Sequence, residues 1–310
     1  MPLSLVGSEM CIRDRIIRVG ILGVSEGNGH PYSWSAICNG YSKTKILNCN
    51  YPEIIHYLSK EKWPESKIKG VRITHIWTQN IQVSYQIAKA TFIQNVVQYP
   101  SEMIGSIDAV LLARDDAENH YELAKQFIEF GLPIYIDKPI ALNMKDLYKL
   151  MEIQKYSGQI FSCSALLFSE NLKLSQIQNR EIGELKTINA ISPKRWKTYS
   201  IHLIETVLNI VNSPFDPVKC CSYRNRLGGE ILYLRFPEGP EVIFNCLGKN
   251  VKSKIKFDIF GNNGSCCLQF SDTFFFFKSA LNHFFDMVRN EKFVNYQGRY
   301  EKCVKIIEMI

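Results

Sequence analysis

Two residues in this chain have side chains suited to moving a proton to or from a hydroxyl group. Lys138 lies between Asp137 and Pro139 at the end of an apolar run. His202 is followed three positions later by Glu205. Oxidation of an alcohol needs a base for the hydroxyl proton, and a histidine titrates close to neutral pH, while an ammonium group can polarise the oxygen. Taken alone, each residue is more often a solvated lysine or a packing histidine, so the pair needs further support.

The position of Lys138 favours a ligand site at the edge of a parallel sheet. A residue at the C-terminal end of a parallel strand projects into the crevice where ligands of open α/β sheets bind. Pro139 ends the strand and fixes the direction of the lysine, through either a cis bond or a tight turn.

A glycine-rich turn after the first apolar run is the second candidate site. Glycine lets backbone N–H groups approach a pyrophosphate with a helix N-terminus behind them. The spacing is not the regular G-x-G-x-x-G pattern, so an ordinary turn between a strand and a helix is an equal alternative. No acid follows the second strand, where ribose hydroxyls would bind, so NAD and NADP both stay open. The glycines are Gly20, Gly23, Gly27 and Gly29.

Composition limits the classes to which the protein can belong. The 310 residues are 46% hydrophobic and 22% charged, which excludes disorder, collagen and coiled coil and favours two globular domains. The net charge of +7 is spread along the chain, which suits anionic small molecules such as nucleotides. Residues 249–256 are the only segment that comes close to a basic stripe, and their basic and uncharged residues alternate as in a solvated strand. We therefore expect no nucleic-acid partner.

The cysteines and the termini carry further expectations. The ten cysteines include no Cys-x-x-Cys pair, and no metal-ligand spacing, P-loop or Ser/His/Asp motif occurs. With no signal peptide and no apolar run of about 18 residues, we expect a cytoplasmic protein with reduced thiols and no membrane partner. Residues 1–15 resemble a translated sequencing adapter, and we exclude them from the fold as a disordered or loosely packed leader.

The order of elements predicts an α/β fold in two domains. Residues 16–141 alternate between buried strands and helices, which predicts a Rossmann-type, doubly wound parallel sheet. Residues 142–310 then change to strands separated by tight turns, which predicts an α+β domain with a mainly antiparallel sheet. The long segment 42–70 is interpreted as an insertion over the edge of the first sheet. An exposed flat face on the second sheet would be a natural dimer surface, so we expect a homo-oligomer.

These residues together resemble the Gfo/Idh/MocA oxidoreductase family. The matching places, in order and spacing, are Asp108 to Val110, His120, Asp137 to Pro139, and His202 with Glu205. The resemblance implies an NAD(P)-dependent dehydrogenase that transfers a hydride between nicotinamide and a hydroxyl or ketone of a sugar, cyclitol or related polyol. It implies Lys138, His202 and Glu205 as catalytic residues. Beside the four glycines, it implies a cofactor site made by Arg114, Asp115, His120, Asp137 and Lys138.

Departures from the family pattern favour an alternative, a non-catalytic nucleotide- or ligand-binding module on the same fold. Asp137 occupies the position where the family usually has a glutamate, and Glu205 the position where it usually has an aspartate. Residues 114–116, Arg-Asp-Asp, replace a neutral Thr-Pro loop, and two carboxylates would repel a pyrophosphate unless Arg114 or Lys138 neutralises them.

Two further segments each leave two interpretations open. The basic run 194–197 either reaches an anionic substrate, such as a sugar acid or sugar nucleotide, or is a surface cluster. The start of the first helix, at His30, either lines the entrance for a ligand or simply packs.

Overall fold

The computed structural model describes residues 15–226, 228–249 and 251–310. The predicted leader, residues 1–15, lies outside these ranges except for Arg15. The described chain divides into two units, each made of separate stretches. The predicted domain boundary after residue 141 stays a prediction. The first unit takes the described residues up to Asp137 with Lys149–Ser162 and Phe277–Tyr296, and the second takes Lys138–Tyr148, Cys163–Phe276 and Gln297–Ile310.

The first unit contains a sheet of six strands in the order β3-β2-β1-β4-β5-β6. Every neighbouring pair in it is parallel. This order is that of a Rossmann-type doubly wound sheet, so the prediction for the N-terminal part is confirmed. The strands are β1 Ile17–Leu22, β2 Val71–Trp77, β3 Asn95–Val96, β4 Ala109–Leu112, β5 Ile134–Ile136 and β6 Ile160–Phe161.

Four helices between residues 30 and 130 accompany this sheet, whose largely buried strands must be covered. The side chains of β4 are fully buried. The long segment predicted as an insertion, residues 42–70, holds a 3₁₀ turn and one of the helices. The helices are α1 His30–Asn39, α2 Pro52–Ser59, α3 Ile81–Thr91 and α4 His120–Phe130.

The second unit contains a mixed sheet in the order β12-β11-β7-β10-β9-β8. All neighbours are antiparallel except β7 and β10, which are parallel. The predicted, mainly antiparallel C-terminal sheet is therefore confirmed. The strands are β7 Leu185–Ser192, β8 Val218–Arg224, β9 Glu230–Arg235, β10 Glu241–Cys246, β11 Lys256–Gly261 and β12 Ser265–Gln269.

The remaining helices all begin after residue 143. The helix that carries His202 begins at Trp196, whose N–H donates a hydrogen bond to the buried carboxylate of Glu230 at 2.8 Å. In the described residues, no helix is long and apolar enough to cross a membrane. These helices are α5 Met144–Glu152, α6 Gln176–Ile182, α7 Trp196–Val211, α8 Thr273–Asn290 and α9 Gln297–Ile307.

The last strand of the first sheet, β6, is only 2 residues long. Only Ile160 and Phe161 pair with the sheet. Ser164 then accepts a hydrogen bond from the N–H of Leu166 at 3.3 Å and caps a 3₁₀ helix over Ala165–Phe168. The serine cap competes with the extended conformation, which the apolar pattern alone does not reveal.

Candidate functional site

The glycine turn, residues 23–29, begins with a close approach between backbone and side chain. Gly23 has a φ of +74°, and a Cβ there would lie 2.3 Å from Cδ of Arg114. Its N–H donates to the carbonyl oxygen of Trp77 at 2.7 Å, which ties the turn to the end of β2. Gly27 has a φ of +76°, and a Cβ there would meet nothing within 4 Å. Packing therefore requires Gly23, whereas Gly27 leaves open space.

Side chains from two other loops hold the glycine turn. Gln79 accepts a hydrogen bond from the Val24 N–H at 3.2 Å and donates one to the Val24 carbonyl oxygen at 2.7 Å. The Ser25 hydroxyl donates to Asp115 at 2.5 Å, and its oxygen accepts from the Asp115 N–H at 3.2 Å. Gln79 follows β2, at the position where an acid would bind the ribose hydroxyls of a dinucleotide. Its side-chain amide is instead bound to the backbone of the glycine turn.

The loop after β4 neutralises one of its own carboxylates. Arg114 donates to Asp116 through Nε at 2.8 Å and through a second N–H group to the other carboxylate oxygen. Burial opposes ionisation of Asp116, but the hydrogen bonds from Arg114 and Asn119 and the arginine charge lower its pKa below the ordinary value. His120 is fully buried, with Nε2 at 2.8 Å from the carbonyl oxygen of Arg114, so it supports the loop from inside.

Asp137 connects the end of β5 to the start of α1. Its carboxylate is 2% exposed and accepts hydrogen bonds from Asn28 Nδ2 at 2.9 Å and from His30 Nδ1 at 2.5 Å. The Asn28 side-chain oxygen in turn accepts from the His30 N–H at 2.8 Å. The His30 ring is stacked on Trp34 at 5.0 Å and packs edge-on against Phe277 at 4.9 Å. The imidazole is therefore held by both hydrogen bonding and packing.

The exposed N–H groups of the glycine turn decide whether a pyrophosphate fits it. Within the described ranges, the N–H groups of Glu26 and Gly27 donate to no protein acceptor, and both residues are exposed. Helix α1 starts at His30, directly behind the turn, and has no acid in its first turn. Free N–H groups before a helix N-terminus bind anions. The residues present therefore fit the pyrophosphate of a dinucleotide.

The other two predicted cofactor glycines lie against protein side chains. A Cβ on Gly20, in the middle of β1, would lie 2.8 Å from atoms of both Ile107 and Met103. A Cβ on Gly29 would lie 2.5 Å from Ile54 and 2.6 Å from Tyr51. At both positions a larger residue would displace these neighbouring side chains.

In the second unit, Lys138 is almost fully buried, with 6% of its surface exposed. The Lys138–Pro139 peptide bond is cis, one of the two geometries expected from the sequence. The ammonium nitrogen lies 5.7 Å from the centre of the Tyr199 ring, in cation–π geometry. The His202 ring packs edge-on against the same tyrosine, with ring centres 5.0 Å apart. Tyr199 therefore brings the two predicted acid/base residues to one side chain.

A chain of hydrogen bonds holds His202. Nδ1 of the imidazole lies 2.7 Å from the hydroxyl oxygen of Ser164. The N–H of Ser164 donates to the carboxylate of Glu205. Glu205 is 2% exposed and pairs with Arg299 on α9, at 3.1 Å between Oε1 and Nε. Glu205 thus lies behind the histidine and orients it through Ser164.

Burial raises the pKa of Glu205, while the charge of Arg299 and the Ser164 N–H act against that rise. The carboxylate therefore depends on Arg299 to stay ionised in a fully buried place. A buried, paired carboxylate of this kind is better suited to orienting neighbouring side chains than to binding a ligand from solvent.

Comparison with known proteins identifies the first part of the chain. A family model described as "Oxidoreductase family, NAD-binding Rossmann fold" (GFO_IDH_MocA) matches residues 17–164. Residues 17–164 belong to the Gfo/Idh/MocA oxidoreductase family. No curated protein sequence matches the chain.

Solved structures with the same fold cover nearly the whole of this chain. Apo scyllo-inositol dehydrogenase from Lactobacillus casei has a TM-score of 0.71 at 14% identity, over 96% of this chain and 95% of that one. A probable dehydrogenase from Thermotoga maritima has a TM-score of 0.70 at 14% identity, over 94% of each chain. Myo-inositol dehydrogenase from Lactobacillus casei, in complex with NAD(H) and myo-inositol, has a TM-score of 0.71 at 11% identity, over 95% of this chain and 93% of that one. At these identities, the likeness shows the fold.

Several residues that support the site were not predicted from the sequence. Ser164 and Arg299 are remote in sequence from His202, so no local spacing points to them. Gln79 binds the glycine turn from the position after β2, where an acid would have indicated ribose binding. In the residues that the structure describes, no cluster of three or more His, Cys, Asp or Glu side chains is arranged to hold a metal ion.

Proposed function

We propose that this chain is an NAD(P)-dependent oxidoreductase that interconverts a hydroxyl and a ketone on a sugar, cyclitol or related polyol. The observation that carries the proposal is the contact of Lys138 and His202 with Tyr199. The family of residues 17–164 supports a nicotinamide cofactor. One structure of the same fold, a myo-inositol dehydrogenase, holds NAD(H) and myo-inositol, which supports the substrate class.

The glycine turn would hold the pyrophosphate of the cofactor. The N–H groups of Glu26 and Gly27 would bind this pyrophosphate. Asp115, which accepts a hydrogen bond from the Ser25 hydroxyl, would lie beside it. When bound, the nicotinamide supplies a hydride acceptor or donor. NAD and NADP both remain within the proposal, because neither an acid nor a cation follows β2.

His202 would act as the base toward the substrate hydroxyl. When Nδ1–H donates to the Ser164 oxygen, Nε2 becomes the basic nitrogen of the neutral ring. The bond from the Ser164 N–H to Glu205 fixes the serine, so the imidazole keeps one orientation. Glu205 is then a positioning residue that acts through Ser164.

Lys138 would hold the reacting oxygen. Its ammonium donates a hydrogen bond to that oxygen and stabilises the negative charge that develops as the hydroxyl proton moves to His202. Asp137, the preceding residue, is fixed by Asn28 and His30, which limits the movement of the lysine backbone. The cytoplasmic location and the homo-oligomeric state stay predictions.

The test begins with cofactor binding by the full chain. NADH and NADPH are titrated while nicotinamide fluorescence is followed, and we expect micromolar binding of at least one. A panel of polyols then gives turnover with the preferred cofactor. Lys138→Ala and His202→Ala are expected to lower kcat by about 10²- to 10⁴-fold while cofactor affinity stays within a few-fold. Unchanged turnover in both variants would contradict these roles.

The alternative, a non-catalytic nucleotide- or ligand-binding module, is favoured by one observation. Arg114 is engaged by Asp116 and Asp115 by Ser25, so the loop beside the turn supports itself. Binding of cofactor without turnover of any polyol would select this alternative, and absence of cofactor binding would contradict both nucleotide-based functions.

A further inference from the structure

Lys194, just before α7, has a backbone conformation that lysine rarely adopts. Its φ is +69°. Two backbone hydrogen bonds with Gly248 hold it there: the Lys194 N–H donates at 3.0 Å, and its carbonyl oxygen accepts at 2.9 Å. A Cβ on Gly248 would lie 2.9 Å from the carbonyl carbon of Gly228, so the loop that clamps Lys194 is itself closely packed. The lysine backbone is therefore fixed in place.

This backbone directs the ammonium group onto the tyrosine shared by the proton-transfer residues. Nζ of Lys194 lies 4.4 Å from the centre of the Tyr199 ring. The residue is exposed, and its ammonium has no carboxylate partner among the described residues. Lys138 and His202 contact the same ring. Two ammonium groups thus share one aromatic side chain.

A second cation here exceeds what a neutral polyol requires. One ammonium group, that of Lys138, is enough to polarise a reacting hydroxyl or carbonyl oxygen. The N-terminus of α7 is not the anion site, because the Trp196 N–H already donates to Glu230. An exposed ammonium group with no carboxylate partner, on a backbone held in place, attracts an external anion.

We propose that Lys194 binds an anionic group of the substrate, so that the substrate is a polyol bearing a carboxylate or a phosphate. This inference rests on the proposed function. In the proposed reaction, the C–H bond of the carbinol would break with its hydride going to a bound nicotinamide, while the O–H proton would pass to His202 and the carbon–oxygen double bond would form. The anionic group does not react. A lysine is a point charge, so it accepts either anion.

The test compares anionic and neutral substrates in the full chain. Gluconate, glucuronate and glucose 6-phosphate are assayed beside glucose and myo-inositol with the preferred cofactor. We expect kcat/KM to be at least about tenfold higher for an anionic member than for its neutral counterpart, and to fall as salt is added. Calorimetric titration of the same compounds in the presence of NADH or NADPH measures binding independently of turnover.

Lys194→Asn removes the charge and keeps a residue that tolerates the left-handed backbone. We expect it to raise KM or Kd for the anionic compound about tenfold, with kcat and cofactor affinity little changed. Lys252→Asn removes the same charge from an exposed segment and should change neither. Preference for a carboxylate or for a phosphate identifies which anion the site takes.

Two results would overturn the inference while leaving the proposed function in place. In the first, a neutral polyol is turned over, its kcat/KM is unchanged in Lys194→Asn, and no anionic compound has a higher kcat/KM. The other is the absence of calorimetric binding by every anionic compound while a neutral polyol is oxidised. Cofactor binding without oxidation of any polyol, together with no binding of the anions, would overturn the proposed function as well.

Discussion

The Ser25 hydroxyl donates a hydrogen bond to the carboxylate of Asp115 across 2.5 Å. This bond joins the glycine turn to the loop after β4, and it places a carboxylate beside the N–H groups proposed to bind a pyrophosphate. Asp116, the next residue, is neutralised by Arg114. The two carboxylates of this loop therefore accept hydrogen bonds from different donors, Ser25 for Asp115 and Arg114 for Asp116.

Replacement of Asp115 by asparagine should strengthen cofactor binding. The amide oxygen still accepts from Ser25, while the negative charge near the pyrophosphate disappears. Removal of one like charge at this range is worth about 1 kcal/mol, so we expect Kd for NADH to fall about three- to tenfold. Fluorescence titration measures the change. Glu129→Gln, on the exposed part of α4, is the matched control, and weaker binding by Asp115→Asn would contradict a pyrophosphate at this turn.

Asn28 should be important for the stability of the first unit. It is 4% exposed, donates to Asp137 and accepts from the N–H of His30. Asn28→Ala removes the hydrogen bond to Asp137 and leaves the His30 N–H without its acceptor, which costs about 1–3 kcal/mol of unfolding free energy. Asn28→Asp keeps the acceptor but places a second carboxylate against Asp137, so it should cost more. Urea unfolding followed by circular dichroism ranks the two variants, and the opposite order would contradict the bond between Asn28 and Asp137.

The parts of the fold that could be predicted from sequence are those governed by local patterns. The six strands of the first sheet follow apolar runs, and the hairpins of the second follow period-two alternation, so both sheets were predictable. The start of α7 was not, because its cap, Glu230, comes from a strand 34 residues further along. Lys138 and His202 could be named by residue type and spacing. Their shared contact with Tyr199 required the tertiary structure.

The pair between Glu205 and Arg299 should make stability depend on pH in a variant that lacks the arginine. The pKa of Glu205 in the folded protein is raised by burial, so its contribution is fully present below the unfolded value of about 4.5 and is lost as the pH rises through the folded value. Arg299→Met removes the opposing charge and raises the folded pKa further. We therefore expect a loss of about 2–4 kcal/mol at pH 8 that largely disappears near pH 4.5.

Urea unfolding at several pH values measures this dependence. Arg299→Met combined with Glu205→Gln removes the titrating group while keeping an acceptor for the Ser164 N–H. This double variant should recover stability at pH 8 and lose the added pH dependence. An equal loss at both pH values in the single variant would instead assign Arg299 a packing role.

The open face of the second sheet is the predicted surface for self-association. Residues of β7, β9 and β10 alternate between a buried face and a half-exposed face. Ile243 lies opposite Tyr233 on β9 and Asn189 on β7, and Asn189 carries a buried side-chain oxygen with no partner among the described residues. A half-exposed sheet face with apolar side chains at its centre is suited to being buried against a second copy of this chain.

Light scattering at micromolar concentration should therefore report a dimer or larger assembly. Ile243→Arg places a charge at the centre of the face and should shift the protein toward the monomer, because burying an unpaired charge is costly. Phe130→Arg makes the same kind of change at an exposed apolar residue of α4 and should leave the mass unchanged. A monomeric unmodified chain would contradict the predicted homo-oligomer. An assembly that Ile243→Arg leaves intact would move the interface away from this face.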